Sequence, residues 1–177
     1  FVRRGLYPLI ACSFAKNMGL YGERVGALHV VTPDNLSAQA VLSHLKIIAR
    51  ATYSSPPQFG AMLAHLVMTD PVLRDLWEEE LSTMSDRIKS MRMSLRMNLE
   101  KKLPGSSWSH ITDQIGMFSY TGLTPAQVQC CADQGVFMLN TGRISIAGLN
   151  ERNVEYVASA MANATKACSA KQIGAKH

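Results

Sequence analysis

The sequence has 177 residues, 47% of them apolar and 18% charged, and carries a formal net charge of +5. This composition excludes a disordered or fibrous chain and predicts a globular protein. The positive charges are dispersed: those of residues 87–96 alternate with apolar residues at helical spacing, which favours a solvated helix face over a site for nucleic acid. No apolar run reaches the roughly 18 residues that a membrane span requires.

Strands and helices alternate in the first third of the chain. β-branched and apolar runs predict the strands, and Gly, Asn and Pro mark the breaks. The helix before Arg50 would be capped by Thr32 or Asp34. In order, we expect a buried strand over 6–14, a loop over 15–23, a strand over 26–31, a helix to about residue 50 and a second helix over 59–68.

A single long helix is predicted to follow. Asp70 is a suitable N-cap, Pro71 suits the first turn, and Pro104-Gly105 ends the helix after about Leu103. At about 1.5 Å per residue this helix would be near 50 Å long, which exceeds a small domain. We therefore expect it to bridge two domains, assigned to residues 1–70 and 71–177.

The remaining residues predict a compact α/β unit. The expected elements are a strand over 115–120, a helix over 125–133, strands over 136–139 and 143–147 joined by the turn Asn140-Thr141-Gly142, a helix over 150–166 and a frayed tail over 167–177. The fold class is therefore α/β. The chain opens without Met and runs directly into an apolar stretch, so we expect it to begin within a domain.

Cysteine and histidine spacing predicts neither a disulfide nor a metal site. Cys12, Cys130, Cys131 and Cys168 form no Cys-x-x-Cys pair, and the histidines form no metal-binding pattern. We interpret the four cysteines as free thiols in a reducing compartment.

The segment with the most distinctive chemistry is residues 13–26. It places Lys16 in a loop of small residues after an apolar strand. We expect the flanking strands to bury this neighbourhood, where a charged Lys would be costly. A neutral amine is the form that Schiff-base chemistry requires, and the Ser13 hydroxyl and Arg24 guanidinium suit a phosphate monoester. Taken alone, a single Lys in a loop is more often a solvated surface residue, and Ser13 an ordinary turn residue.

This segment resembles the lysine motif of the fold type I aminotransferases, specifically the aspartate aminotransferase subgroup. The motif has Ser three residues before Lys-Asn, then Gly-Leu-Tyr and Arg-x-Gly, and residues 13–26 match each position. The similarity covers nearly the whole chain. It continues through Tyr-Ser-Ser-Pro-Pro (53–57), Asp-Arg-Ile-Lys-Ser-Met-Arg (86–92), His-Ile-Thr-Asp-Gln-Ile-Gly-Met-Phe-Ser (110–119) and Gly-Arg-Ile-Ser-Ile-Ala-Gly-Leu (142–149).

The resemblance implies a cofactor, pyridoxal 5′-phosphate, and residues that hold it. Lys16 would bind the cofactor as a Schiff base and, once released, move the proton between the substrate Cα and the cofactor. Ser13 and Arg24 would bind the phosphate, and Tyr21 would shape the site. The resemblance also implies a fold: the end of a large cofactor domain, a long interdomain helix and a small α/β domain.

Three further residues would bind the substrate. Arg143 would pair with the α-carboxylate, for which a guanidinium fork is better suited than Lys. Phe118 would line the pocket. Arg50 would bind the distal carboxylate of aspartate or glutamate in the neighbouring subunit's site, so a homodimer is implied. Without the resemblance, Arg143 is an ordinary strand residue, Phe118 a core residue, and Arg50 a helix-terminal Arg satisfying carbonyls.

The implied reaction is reversible transfer of the amino group of L-aspartate to 2-oxoglutarate, giving oxaloacetate and L-glutamate. One alternative is preference for an aromatic amino acid, which Arg50 does not exclude; another is a truncated, non-catalytic interaction module. The family's pyridine-nitrogen Asp and ring-stacking residue are absent, so we expect little catalysis by this chain alone. It would be soluble, with cytoplasm, mitochondrion and plastid not distinguished.

Overall fold

A computed structural model of the chain describes residues 1–174, with side chains described through residue 167. It is a mixed α/β structure, as predicted, in two compact units that divide between Leu81 and Ser82. The elements are β1 (Leu9–Ser13), β2 (Gly26–Val30), α1 (Asn35–Tyr53), α2 (Phe59–Thr69), α3 (Pro71–Lys102), α4 (Ser109–Asp113), β3 (Phe118–Tyr120), α5 (Pro125–Ala132), β4 (Arg143–Ser145) and α6 (Val154–Gly174).

The first unit contains an antiparallel hairpin of β1 and β2. Its register runs from Leu9 opposite Val30 to Ser13 opposite Gly26, and the connecting loop contains Lys16. The prediction of a buried first strand is wrong, because every residue of β1 is exposed. The apolar run specified a strand correctly, but the other elements of this unit leave the hairpin's apolar side chains uncovered.

Helix α1 begins at Asp34, one of its two predicted caps, and is also poorly covered. Asp34 Oδ1 accepts a hydrogen bond from Ser37 N at 2.7 Å at the start of α1. The amphipathic stripe of α1 remains exposed: Leu36 is 80% exposed and Ile48 60%. Of the residues described in this unit, only Gly60 and Ala64 in α2 are buried.

The long helix α3 confirms the sequence prediction almost to the residue. Asp70 Oδ1 accepts hydrogen bonds from Val72 N at 2.9 Å and Leu73 N at 3.0 Å, so Asp70 caps the helix as expected. Its 32 residues correspond to about 48 Å. Residues before Ser82 belong to the first unit and later ones to the second. The assignment of two domains to residues 1–70 and 71–177 stays a prediction.

The second unit contains the hydrophobic core. The C-terminal half of α3 buries Met91, Leu95 and Leu99, which pack against side chains from α4, α5 and α6. Full burial of such side chains stabilises a fold by about 1.5 to 3 kcal/mol each. The fully buried apolar residues at its centre are Leu95, Leu99, Ile111, Cys131, Ile146, Ala158, Met161 and Ala164.

The small sheet of the second unit differs from the predicted one. β4 pairs antiparallel with β3, and residues 136–139 form no strand. The turn before β4 is present, with Gly142 N donating to Leu139 O at 2.8 Å. The predicted strand is wrong because Val136 N bonds Cys131 O at the end of α5 instead of joining the sheet. The short helix α4 was not predicted.

The C-terminal helix is also longer than expected. α6 continues to Gly174, so the predicted fraying is wrong for residues 167–174, and residues 175–177 lie outside the described chain. Within residues 1–174, no helix combines the length and apolarity that crossing a membrane requires. Cys12 and Cys130 are reduced thiols, and the Cys168 side chain lies outside the described residues.

Candidate functional site

The loop between β1 and β2 is ordered by backbone hydrogen bonds. Phe14 O accepts from Met18 N at 3.3 Å and Leu20 N at 3.4 Å, and Phe14 N donates to Val25 O at 3.1 Å. From α3, the indole Nε1 of Trp77 donates to Asn17 O at 2.8 Å. These bonds fix the backbone on either side of Lys16, so the lysine stands on a defined loop.

Lys16 is exposed, and its Nζ lies 4.4 Å from the centroid of the Tyr21 ring. This is a cation–π distance, at which the negative face of the ring attracts an ammonium group. The prediction that neighbouring strands bury Lys16 is wrong for this unit, because all of β1 and three of the five residues of β2 are themselves exposed. The association of Lys16 with Tyr21 nevertheless places these two predicted residues together.

Ser13 and Arg24 lie at the two ends of the same loop. Ser13 Oγ accepts a hydrogen bond from Ala15 N at 3.2 Å, which leaves the hydroxyl proton available to a ligand. Arg24 Nη1 donates to Tyr21 O at 3.1 Å. Arg24 has a φ of 53°, a left-handed conformation uncommon for residues other than glycine. One amine, one hydroxyl and one guanidinium on a single hairpin fit a phosphate-bearing aldehyde such as pyridoxal phosphate.

A groove of about 670 Å³ connects Arg24 with the segment that follows α1. Its lining includes Arg24, Tyr53, Pro56, Pro57 and His65. Gly60 of α2 makes this approach possible, because a Cβ there would lie 2.7 Å from Glu23 Cβ and 3.2 Å from Val25 Cβ. The Ser-Pro-Pro segment and the phosphate-binding candidate Arg24 are therefore neighbours within the first unit.

Arg50 lies in the last turn of α1 with an exposed side chain. Its carbonyl accepts from Ser54 N at 3.2 Å, and Ser54 turns the chain with a φ of 63°. Its position is compatible both with a helix-terminal cation and with the specificity residue predicted from the resemblance. Arg50 is not among the residues that line the groove.

In the second unit, the strand pairing brings Arg143 and Phe118 together. Phe118 and Tyr120 of β3 share the exposed face of the sheet with Arg143 of β4, whereas Ser119 and Ile144 face the core. Arg143 Cζ lies 4.7 Å from the centroid of the Phe118 ring. Tyr120 is directly opposite Arg143 in the ladder and was missed by the sequence analysis. The exposed face thus presents a guanidinium over one aromatic ring, with a second aromatic residue opposite it in the ladder.

The backbone before Arg143 is held by Thr121 and Gly142. Thr121 donates to Gly142 O twice, from its backbone N at 2.9 Å and from Oγ1 at 2.8 Å. Gly142 has a φ of 80°, and a Cβ there would lie 3.0 Å from Leu123 O and 3.1 Å from Thr121 Oγ1. Only glycine fits this left-handed, crowded position without strain, so it sets where β4 and Arg143 begin.

A buried arginine on α3 contacts the strand that contains Phe118. Arg92 is only 3% exposed, so the prediction of a solvated face over residues 87–96 is wrong at this position. Its spacing from Leu95 and Leu99, three and seven residues on, is that of the buried stripe, and this signal was available in the sequence. Burial lowers the pKa of the Arg92 guanidinium.

The Arg92 guanidinium bonds four oxygen atoms. Nη1 donates to Ile111 O at 2.6 Å and Ser119 Oγ at 3.2 Å. Nη2 donates to Gly116 O at 2.8 Å and Phe118 O at 2.6 Å. One guanidinium therefore joins α3 to the end of α4, to the turn before β3 and to β3 itself.

Most of the chain is similar in sequence to known proteins. The sequence profile described as aminotransferase class I and II matches residues 1–161. The cytoplasmic aspartate aminotransferase of Schizosaccharomyces pombe is 51% identical over 168 residues, and the alignment covers 94% of this chain and 41% of the yeast protein. The mitochondrial aspartate aminotransferase of Gallus gallus is 47% identical over 167 residues, covering 94% of this chain and 40% of that protein.

Solved structures agree with the sequence comparison. The aromatic-amino-acid aminotransferase of Burkholderia pseudomallei, covalently bound to pyridoxal phosphate, superimposes with a TM-score of 0.88 at 42% identity, covering 93% of this chain and 41% of that one. The chain belongs to the class I and II aminotransferase family, whose members here have the fold type I structure. Both of these curated relatives are named as aspartate aminotransferases, and the chain spans about two fifths of their length.

Proposed function

We propose that this chain forms part of an aspartate aminotransferase, a pyridoxal-phosphate enzyme that moves the amino group of L-aspartate to 2-oxoglutarate. The observation that carries the proposal is the pairing of Arg143 with Phe118 on an exposed sheet face, in a chain with Lys16 on an ordered loop. The relatives are named as cytoplasmic and mitochondrial enzymes, so a soluble protein of either compartment is proposed.

The loop residues would hold the cofactor and handle the proton. When bound, pyridoxal phosphate supplies an electron sink for charge that develops at the substrate Cα. Lys16 Nζ would attach to the cofactor and, after release, transfer the proton at Cα. Ser13 would donate its free hydroxyl proton, and Arg24 its remaining guanidinium protons, to phosphate oxygens. Tyr21, against Lys16 Nζ, would limit where the amine can move.

The substrate would be oriented by its carboxylates. Arg143, which is exposed beside the Phe118 ring, would form a bidentate pair with the α-carboxylate. Phe118 would supply the apolar wall beside that carboxylate. Arg50 would serve the distal carboxylate in the site of a second copy of the chain, which makes a homodimer part of the proposal.

The test uses the purified full chain with added pyridoxal phosphate. The absorption spectrum would be recorded for the parent chain, for Lys16→Ala and for Lys46→Ala, an exposed control lysine on α1. After borohydride reduction, peptide mapping would locate the trapped pyridoxyl group. We expect a Schiff-base band and a label on Lys16 in the parent and in Lys46→Ala, and neither in Lys16→Ala.

Three results would count against this assignment. A label spread over several lysines, or a band that survives Lys16→Ala, would mean that Lys16 is not the cofactor residue. A parent chain with no band would favour the alternative of a non-catalytic fragment. A specific label followed by loss of the band on adding aspartate would extend the proposal from cofactor to substrate.

A further inference from the structure

Two arginines on α3 contact the backbone that enters β3 and the backbone that leaves β4, the two strands of the sheet that bears Arg143. Arg92 bonds the segment leading into β3, as described above. Arg87, one and a half turns earlier, extends an exposed side chain to the segment that leaves β4. Its Nη1 donates to Leu149 O at 2.8 Å and its Nη2 to Ala147 O at 3.0 Å.

Both arginines bond main-chain oxygens rather than acidic side chains. Neither arginine has a carboxylate partner among its hydrogen bonds in the described residues, and nearly all of their acceptors are main-chain carbonyls. A salt bridge to a carboxylate would also satisfy the guanidinium, but it would fix the position of another side chain only. A fork on main-chain oxygens fixes the course of the backbone itself.

The backbone that these forks contact leads directly to the proposed substrate residues. Arg92 bonds the carbonyl of Phe118 and the hydroxyl of Ser119, and Phe118 is the residue stacked on Arg143. Arg87 bonds two carbonyls four and six residues after Arg143. The distance of 4.7 Å between Arg143 Cζ and the Phe118 ring centroid depends on the positions of both β3 and β4.

We propose that Arg87 and Arg92 are positioning residues that hold β3 and β4 against α3 so that Arg143 meets a carboxylate in the correct orientation. This inference rests on the proposed role of Arg143 as the carboxylate-binding residue. Neither positioning residue would touch the substrate. Small misplacements of a binding group are costly, and a shift of about 1 Å is worth up to about 100-fold in rate or affinity.

The test measures the Arg143 geometry and carboxylate binding separately, by NMR on the isotope-labelled full chain. An arginine side chain that lies over an aromatic ring has its proton resonances shifted upfield. The Phe118→Leu variant supplies the chemical shift of Arg143 in the absence of the ring. Arg143→Lys assigns the signals. Titration with succinate, followed at Arg143 Nε, gives a dissociation constant. Neither reading requires the cofactor or turnover.

The variants are Arg92→Met and Arg87→Gln, with Arg74→Met as the control. Arg74 lies on the same helix and pairs with Glu78 at 2.9 Å on the surface. We expect both test variants to keep their helix content, to move the Arg143 signal most of the way to the Phe118→Leu value, and to weaken succinate binding roughly tenfold or more. The control should change neither reading.

An Arg143 signal and a succinate constant equal to the parent's in folded Arg92→Met or Arg87→Gln would overturn the positioning role. If Arg92→Met does not fold, Arg92→Lys replaces it: one nitrogen cannot serve four acceptors, so the same losses are expected, and parent values there would overturn the role of Arg92. If the parent chain shows the upfield shift but no response to succinate, the carboxylate role of Arg143 is refuted. The positioning role is then decided by comparing the Arg143 chemical shift of the variants with that of the parent.

Discussion

At the scale of single residues, the sequence identified the candidates but not the relations between them. Phe118 and Arg143 were both predicted, yet their contact depends on a strand register that pairs Phe118 with Ser145 and Tyr120 with Arg143. A register can be predicted only when the paired strands are known, and the sequence pattern predicted a strand over 136–139 beside β4 where the structure pairs β4 with β3. Tyr120 was missed for the same reason, because its position opposite Arg143 depends on that pairing. Arg92 was missed although its spacing from Leu95 and Leu99 is a local signal of burial.

The contact between Arg143 and Phe118 should make a measurable contribution to the free energy of unfolding. Phe118→Leu keeps an apolar side chain and removes the aromatic face, so we expect a loss of about 0.5 to 1 kcal/mol in the free energy of unfolding. Urea denaturation of the parent, of the single variants Phe118→Leu and Arg143→Gln, and of the double variant tests this. The stability loss of the double variant should be smaller than the sum of the two single losses by about the stacking energy. Simple additivity would show that the contact contributes nothing.

The close approach of α2 to the Lys16 loop leads to a second residue-scale prediction. Gly60→Ala places a methyl group within 2.7 Å of Glu23 Cβ, an atom that cannot move without the backbone. We expect this variant to displace the loop and to reduce borohydride-trapped pyridoxal phosphate at Lys16. Gly22→Ala is the matched control, because open space surrounds that position. Equal trapping in both variants would show that the packing of Gly60 is not needed for the loop.

At the scale of elements, local signals were most reliable where a cap defined an end. The Asp34 and Asp70 caps were predicted, and α1 and α3 begin there. The box formed by Thr124 and Gln127 likewise starts α5, with reciprocal side-chain-to-backbone bonds. The prediction failed for residues 136–139, where an apolar run is compatible with a strand but the N–H of Val136 is already bonded to α5.

The capping box of α5 should contribute measurably to the second unit. Thr124→Ala removes the acceptor for Gln127 N, and N-cap losses of this kind cost about 1 kcal/mol. Thermal unfolding followed by circular dichroism would show a lower midpoint than the parent. Thr141→Ala, in the exposed turn before β4, is the control and should leave the midpoint unchanged. A midpoint lowered equally by both changes would argue against a specific capping effect.

The C-terminal end of α3 should be sensitive to acid through Glu100. Its carboxylate accepts from Arg96 Nε at 2.9 Å and from Trp108 N at 3.2 Å, and these bonds lower the pKa of Glu100 below its usual value of 4.5. An acid with a depressed pKa in the folded state stabilises the fold above its unfolded-state pKa. That stabilisation is lost as the pH falls through the folded-state pKa.

Glu100→Gln should therefore be less stable than the parent at neutral pH and should lose less stability between about pH 5 and pH 3, which urea unfolding at each pH measures. Glu151→Gln, an exposed carboxylate without a described ion pair, should follow the parent curve. Parallel curves for the parent and Glu100→Gln would exclude this contribution.

At the scale of the whole molecule, the described residues fall into a unit with a core and a unit almost without one. Composition predicted enough apolar residues for a core, but not that most of them before Leu81 would remain exposed. Fold class, most helices and the family followed from the sequence, because periodicity, caps and the Lys16 motif are local signals. Burial could not be predicted, since it depends on which surfaces meet.

Hydrogen exchange should distinguish the two units. Amides of α3 around Leu95 and Leu99 and of α6 around Met161 lie beside fully buried side chains and should exchange slowly. Amides of β1 and β2 should exchange quickly, since the hairpin is exposed. The exposed apolar strands also predict poor solubility of the purified chain. A monodisperse chain with uniform protection in both units would contradict both expectations.

The main-chain contacts of Arg92 have a consequence for how this region can be altered. The arginine bonds the carbonyls of Ile111, Gly116 and Phe118, which every amino acid possesses. These hydrogen bonds therefore do not depend on which side chains occupy positions 117 and 118. A library that varies those two positions can explore new pocket walls for other amino acids while the backbone stays attached, provided that the single codon for Arg92 is left untouched.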